Sequence, residues 1–207
     1  MLQCMPIVDV YIAAVPENEP IGYVECKARR DEISSISNEK VKREKYFVWQ
    51  LLCYALEHSF GLRREELEFT KESYGGWSVA GVKLSLSHSD GAVAVAVSRE
   101  AVGIDIERVH TPRAQRIAER IMTDAELVRY ERTPPEQRQR RLIEIWTAKE
   151  AIFKSKQADS FIPRQHDTLT ESFLTNAITL SGEEYVYSVA SAITKSVRIF
   201  TDIDLSK

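Results

Sequence analysis

Val8, Val10 and Ile12 alternate with Asp9, Tyr11 and Ala13, and this period of two predicts an early strand over 9–15, ended by Pro16 and Pro20. From about Asn38 to Ser59 the period changes to three or four, with Val41, Val48, Leu52, Ala55 and Leu56 recurring as on one helix face. Ser37 is the expected N-cap and Gly61 the stop. Tyr74-Gly75-Gly76-Trp77 reads as a turn. Beyond it, Val82–Ser89, Ala92–Ser98 and Val102–Glu107 are three short strands joined by tight turns at Asp90-Gly91 and Ser98–Ala101, an antiparallel meander. Thr111-Pro112 then opens a helix to Met122, and Thr123-Asp124-Ala125-Glu126 has the capping-box spacing for a second. Pro134-Pro135 breaks that helix, and a longer third runs to about Lys156. Strands over 168–180, 185–192 and 196–203 close the chain.

Strand, helix and strands, followed by helices and strands, make an α+β architecture. Two halves are expected, 1–99 and 100–207, pseudo-symmetric in content, each a long helix packed on a small antiparallel sheet. The apolar share of 43%, the charged share of 29% and the net charge of −3 belong to an ordinary soluble domain, so attraction to nucleic acid or a membrane surface has no global basis. No apolar run approaches the ~18 residues of a membrane span, and Met1–Val10 lacks the basic and apolar regions of a signal peptide. Cys4, Cys26 and Cys53 are odd in number and widely spaced, which points to reduced thiols and a cytoplasmic protein, not to zinc or a disulfide framework.

Two segments stand out chemically. On a strand over 102–107, Val102, Ile104 and Ile106 face one way, and Gly103, Asp105 and Glu107 the other. Two carboxylates thus stand side by side over a glycine. In Trp146–Lys154 a helix carries Glu150 and Lys154 four apart on one face, at the edge of an apolar arc of Leu142, Ile145, Trp146, Ile152 and Phe153. Lys149 falls inside that arc and must snorkel out or meet an anion, either a phosphate or a neighbouring carboxylate. Asp105, Glu107 and Glu150 are the hard oxygen donors that Mg²⁺ takes together with water and a substrate phosphate, and Lys154 would offset the charge of a diphosphate. Taken singly, each feature is also what a solvated surface presents.

Taken together they form a pattern. Val102-Gly103-Ile104-Asp105, then residues 106–145, then Trp146-Thr147-Ala148-Lys149-Glu150-Ala151-Ile152-Phe153-Lys154, with Ser87-His88-Ser89 upstream, resembles the 4′-phosphopantetheinyl transferases. The likeness is to their large, two-half kind that activates synthetases of surfactin type. It implies coenzyme A bound between the halves and a serine hydroxyl of an apo acyl or peptidyl carrier protein attacking the β-phosphate. The phosphopantetheine arm would be transferred and 3′,5′-ADP released. With two halves joined in one chain, a monomer is the expected state.

By motif position the resemblance places Asp105, Glu107 and Glu150 around Mg²⁺, with Glu150 acting as or orienting the general base. Lys154 would contact phosphate or protonate the leaving group, and Ser87 and His88 would bind phosphates of coenzyme A, His88 counting with Glu150 and Lys154 among the catalytic candidates. Arg30 and Lys45 are the nearest counterparts of the family's basic residues that grip the 3′-phosphate. Gly76 stands where the family often has a lysine, Trp77 beside it could stack on adenine or pack, and no G-x-G turn follows Lys154. Arg113, Arg116 and Arg120 could meet the acidic helices of a carrier. The alternative is a non-catalytic relative that binds coenzyme A or a carrier without transfer.

Overall fold

The computed structural model describes residues 7–79, 81–109, 115–193 and 196–206. Cys4, the Thr111-Pro112 cap and Arg113 lie outside the described residues, as does the side chain of Arg116. The architecture is α+β. A first sheet has strand order β4-β5-β1-β9, built from β1 (Val8–Ala14), β4 (Lys83–Ser89), β5 (Ala92–Ser98) and β9 (Val197–Phe200). A second has the order β6-β8-β7, from β6 (Val102–Arg108), β7 (Phe173–Leu180) and β8 (Glu183–Ser191). The short pair β2 (Thr70–Lys71) and β3 (Trp77–Ser78) stands apart.

Alanine and valine alternate along β5, an alternation of size and not of polarity. Val93, Val95 and Val97 pack on helix α2 (Glu39–Phe60), while Ala92, Ala94 and Ala96 face the second sheet. The small alanines let Val102, Ile104 and Ile106 of β6 and Tyr187 and Val189 of β8 settle against them. The outer face of the second sheet is in turn covered by helix α5 (Arg138–Lys156), with Ala151 and Ile152 against Ala190. Both sheets are therefore buried on two sides along their central strands, each under one long helix.

Local chemistry explains most of the boundaries. The α2 cap is Asn38, not Ser37: its side chain accepts from the Val41 amide at 3.1 Å. Gly61 ends α2 with φ 68°, the left-handed conformation a glycine adopts without strain. Asp90-Gly91 and Ser181-Gly182 turn their hairpins with positive φ at both positions. The capping box at Thr123 forms as expected and starts α4 (Asp124–Glu131), after α3 (Gln115–Ile121).

Three expectations need correction. The meander stops at β5, because β1 occupies the free edge of that strand; β6 crosses to the second sheet and pairs with β8. The first sheet is not wholly antiparallel: β9 runs parallel to β1, bringing the last strand of the chain back to the first sheet. Arg198 of β9 makes a bidentate pair with the buried Asp9 carboxylate, at 2.6 Å for both bonds, which locks this crossing. Helix α1 (Lys27–Ser34) was not anticipated, since its sequence has one buried apolar residue, Ile33, and Cys26 at its start makes no capping side-chain bond.

One contact sets the spacing between α5 and the second sheet. A Cβ on Gly103 would stand 1.9 Å from the Ala151 carbonyl oxygen and 2.5 Å from the Ser155 amide nitrogen, so the helix backbone rests on the strand backbone. Gly103→Ala is expected to destabilise the protein by about 3 kcal/mol or more, read from the urea unfolding midpoint, since a helix backbone has no side-chain rotamer through which to yield.

Candidate active site

Because α5 lies this close to β6, Asp105 and Glu107 on the strand and Glu150 and Lys154 on the helix face one another. With Ser87, His88, Leu86 and Trp146 they line one cavity of about 240 Å³. Lys154 Nζ donates to Asp105 Oδ1 at 2.7 Å and to the Ile104 carbonyl at 3.2 Å. Lys154 thus spans helix and strand as a cation against the strand's acid.

The other side of β6 is held by a row of serines. In the β4–β5 register Ser85, Ser87 and Ser89 lie opposite Ala96, Ala94 and Ala92, so all three face the second sheet. The outward amides of Ile104 and Ile106, on the end strand of that sheet, donate to Ser85 Oγ at 3.0 Å and Ser87 Oγ at 3.3 Å. Ser87 Oγ then donates to Asp105 Oδ1 at 2.7 Å, and Ser89 Oγ to Glu107 Oε2 at 2.6 Å. Hydroxyls can accept from an edge amide and donate to a carboxylate, which alanine or valine in the same places could not. Ser87 therefore orients Asp105 in this arrangement, where the sequence suggested a phosphate contact.

His88 faces the opposite way, toward α2, where its Nδ1 meets Glu44 Oε2 at 2.9 Å. Glu44 is 4% exposed, and its other oxygen accepts the Gly91 amide at 2.9 Å, so the imidazole is oriented by a fixed carboxylate. Glu44 was missed by sequence reasoning. The signal was present, since Glu44 interrupts the apolar run at positions 41, 48 and 52 on the buried face of α2.

Burial pushes the Glu150 carboxyl up to about 7; Lys154 opposes the rise, and Asp105 and Glu107 add to it. Asp105 Oδ2 is buried and has no hydrogen-bond partner. As they stand, no three His, Cys, Asp or Glu side chains among the described residues are grouped so as to hold a metal ion. The donor chemistry nevertheless fits Mg²⁺: hard carboxylate oxygens, one of them buried and unsatisfied, in a cavity short of positive charge.

A second cleft of about 270 Å³ adjoins this cavity and shares Leu86, His88 and Lys154 with it. Its far wall is cationic, with Arg29, Lys45 and Lys71. Lys45 lines this cleft, but Arg30 does not: its guanidinium turns away to the Val24 and Glu25 carbonyls and over the Tyr23 ring. Its neighbour Arg29 is the arginine in the cleft. Trp77 packs, buried edge-on against Trp49 with ring centres 5.0 Å apart. Gly76 lies under the Tyr74 ring, where a Cβ would come within 2.2 Å of Cε2, so a larger residue at position 76 requires the ring to move. At the end of α5, Gln157 takes the left-handed position, φ 52°, without the help of glycine, and its side chain lines the cleft.

Lys149 meets a carboxylate. Fully buried, it pairs with Glu126 at 2.7 Å and donates to the carbonyls of His166 at 2.6 Å and Pro163 at 3.2 Å. Glu126 also takes the Thr123 amide of the capping box and both the amide and hydroxyl of Thr168. Burial works to raise its pKa, but the bonds from Lys149 and Thr168 outweigh this and hold the carboxyl below its usual range. The role of this signature lysine is to anchor α5 to α4 and the 163–168 loop.

Residues 101–193 match the family model of the 4′-phosphopantetheinyl transferase superfamily, and this part of the chain carries a domain of that superfamily. The match spans Asp105, Glu107, Lys149, Glu150 and Lys154, and stops short of the serine row, His88 and the cationic wall. The chain has no match among the curated proteins.

Two outcomes follow from these charges. In the metal-free protein, the unfolded chain ionises Glu150 near the ordinary 4.5 and the folded protein near 7, so stability falls as pH rises through that window and stays low above it. Glu150→Gln removes that penalty, and its melting temperature should exceed the parent's at pH 8 but not at pH 4, a gain on the order of 2–4 kcal/mol. By contrast, Glu126→Gln should lose about 3–5 kcal/mol in chemical denaturation, because it leaves the Lys149 ammonium buried without a counter-charge.

Proposed function

We propose that this chain transfers the 4′-phosphopantetheine arm of coenzyme A to a serine hydroxyl of an apo acyl or peptidyl carrier protein, as an enzyme of the large, surfactin-activating type, with its two helix-covered sheets as the two halves. The observation that carries this reading is the acid cavity opening beside a cationic cleft, with every acid of the cavity inside the segment matched to the superfamily. A substrate that is a pyrophosphate at one end of its nucleotide and a phosphate monoester at the other suits such a neighbourhood.

Asp105, Glu107 and Glu150 would hold Mg²⁺, which when bound supplies neutralising charge to the pyrophosphate. Glu150 takes or directs the proton of the attacking hydroxyl. The serine oxygen bonds to the β-phosphorus, the bond from that phosphorus to the bridging oxygen breaks, and 3′,5′-ADP departs with the electron pair. Lys154 meets the phosphate oxygens, and His88, oriented by Glu44, stands at the junction of cavity and cleft. Ser87 and Ser89 keep the two strand acids in place.

Incubation with coenzyme A, Mg²⁺ and a panel of apo carrier proteins should add the mass of one phosphopantetheine arm to a carrier, and chelation should stop the addition. Asp105→Asn should slow transfer by about a hundredfold or more while keeping the parent's circular dichroism spectrum, since it removes a charge at the reacting centre and not packing. Coenzyme A binding without addition to any carrier would leave the non-catalytic reading instead.

A further inference from the structure

The cationic wall of the cleft already holds an anion. Arg29 of α1, Lys45 of α2 and Lys71 of β2 converge on the carboxylate of Glu32: Lys45 Nζ at 2.6 Å from Oε1, Arg29 Nη1 at 3.2 Å and Lys71 Nζ at 3.3 Å from Oε2. All four residues line the cleft. Arg29 is 4% exposed, lies over the Trp49 ring and donates to the Lys45 carbonyl, yet its buried Nε has no partner. A guanidinium sunk this deep with a donor unsatisfied is costly to a fold that has no use for positive charge there. Burial works to raise the Glu32 pKa, but Lys45, Arg29 and Lys71 hold it down to about 2, so the group is an anion across the physiological range.

Three cations and one carboxylate leave two positive charges in this cradle. Coenzyme A, lying with its pyrophosphate toward Lys154, carries one further phosphate, a monoester on its adenosine end. That monoester is the group the cationic wall can serve. To enter, it must displace the Glu32 carboxylate from its partners or lie beside it against like charge. A ligand without the monoester leaves all three pairs intact.

We propose that Glu32 is a specificity-determining residue: a resident carboxylate that occupies the phosphate cradle and cancels most of the preference for the phosphorylated form, so that the cleft takes coenzyme A and its dephospho form with similar affinity. This rests on the coenzyme A reading above. Discrimination at this end is then set by a side chain of α1, away from the acids at the reacting end.

Calorimetric titration of the full chain with coenzyme A and with dephospho-coenzyme A tests it, on the parent, Glu32→Gln and Lys71→Met. In the parent the two affinities should lie within about tenfold of each other; in Glu32→Gln coenzyme A should tighten about tenfold, with dephospho-coenzyme A unchanged within about twofold. Lys71→Met, a partly exposed position that keeps Glu32 in place with one cation fewer, should weaken coenzyme A several-fold and leave the dephospho form unaffected. If Glu32→Gln shifts both ligands alike, shifts neither, or weakens coenzyme A, or if Lys71→Met leaves the ratio unchanged, the role of Glu32 is overturned while coenzyme A binding stands. If neither ligand binds the parent or either variant, the coenzyme A reading fails and takes this inference with it.

Discussion

The whole site hangs on the approach of one helix backbone to one strand backbone. Gly103 has no side chain, so Ala151 and Ser155 of α5 rest directly on β6, and Glu150 and Lys154 arrive opposite Asp105. Small residues extend this surface: Ala190, and Ser188 bonded to Thr147 of the helix at 2.8 Å. With a larger side chain at any of these points the helix would stand off, and the ion pair across the gap would lengthen out of hydrogen-bond range. Close packing here is a condition of the chemistry, because carboxylates on separate elements interact strongly only when water is kept from between them.

Around this contact the molecule separates its charges by use. Lys149 with Glu126 is a buried pair whose remaining donors and acceptors are filled by neighbours, and Arg198, itself half exposed, reaches in to the buried Asp9; both tie distant segments together. The acid cavity is different: it gathers three carboxylates against one lysine and leaves an Asp105 oxygen unsatisfied. The cationic wall is unbalanced in the other direction. Two neighbouring regions of opposite excess charge, joined at His88 and Lys154, make a cleft suited to a ligand with phosphates at separate points along it.

The serine row shows how a sheet edge can be put to work. An end strand has a line of free amides, usually a hazard or a place for another chain to add. Here hydroxyls from a strand of the other sheet take two of those amides and, from the same side, hold the two acids. Alternation in sequence puts Ser85, Ser87 and Ser89 on one face of β4 but names no partner for that face. The register that turns this face toward β6 exists only once the two sheets are stacked.

What the chain determined by itself is what depends on near neighbours. The period of α2 and α5, the Asp90-Gly91 turn, the Thr123 capping box, the facing of Gly103, Asp105 and Glu107, and the identity of the acids and lysine all follow from spacing and local hydrogen bonding. What only the tertiary structure decided is partnership. β6 joins β8 instead of extending the hairpin, β9 returns to β1, and Arg29 rather than Arg30 enters the cleft, because α1 is oriented by contacts with α2 and not by its own pattern. Lys149 finds Glu126, and His88 finds Glu44, across tens of residues. Periodicity tells a residue which side of its element it occupies; it carries no information about which other element arrives on that side, since that is settled by the burial of all the faces at once.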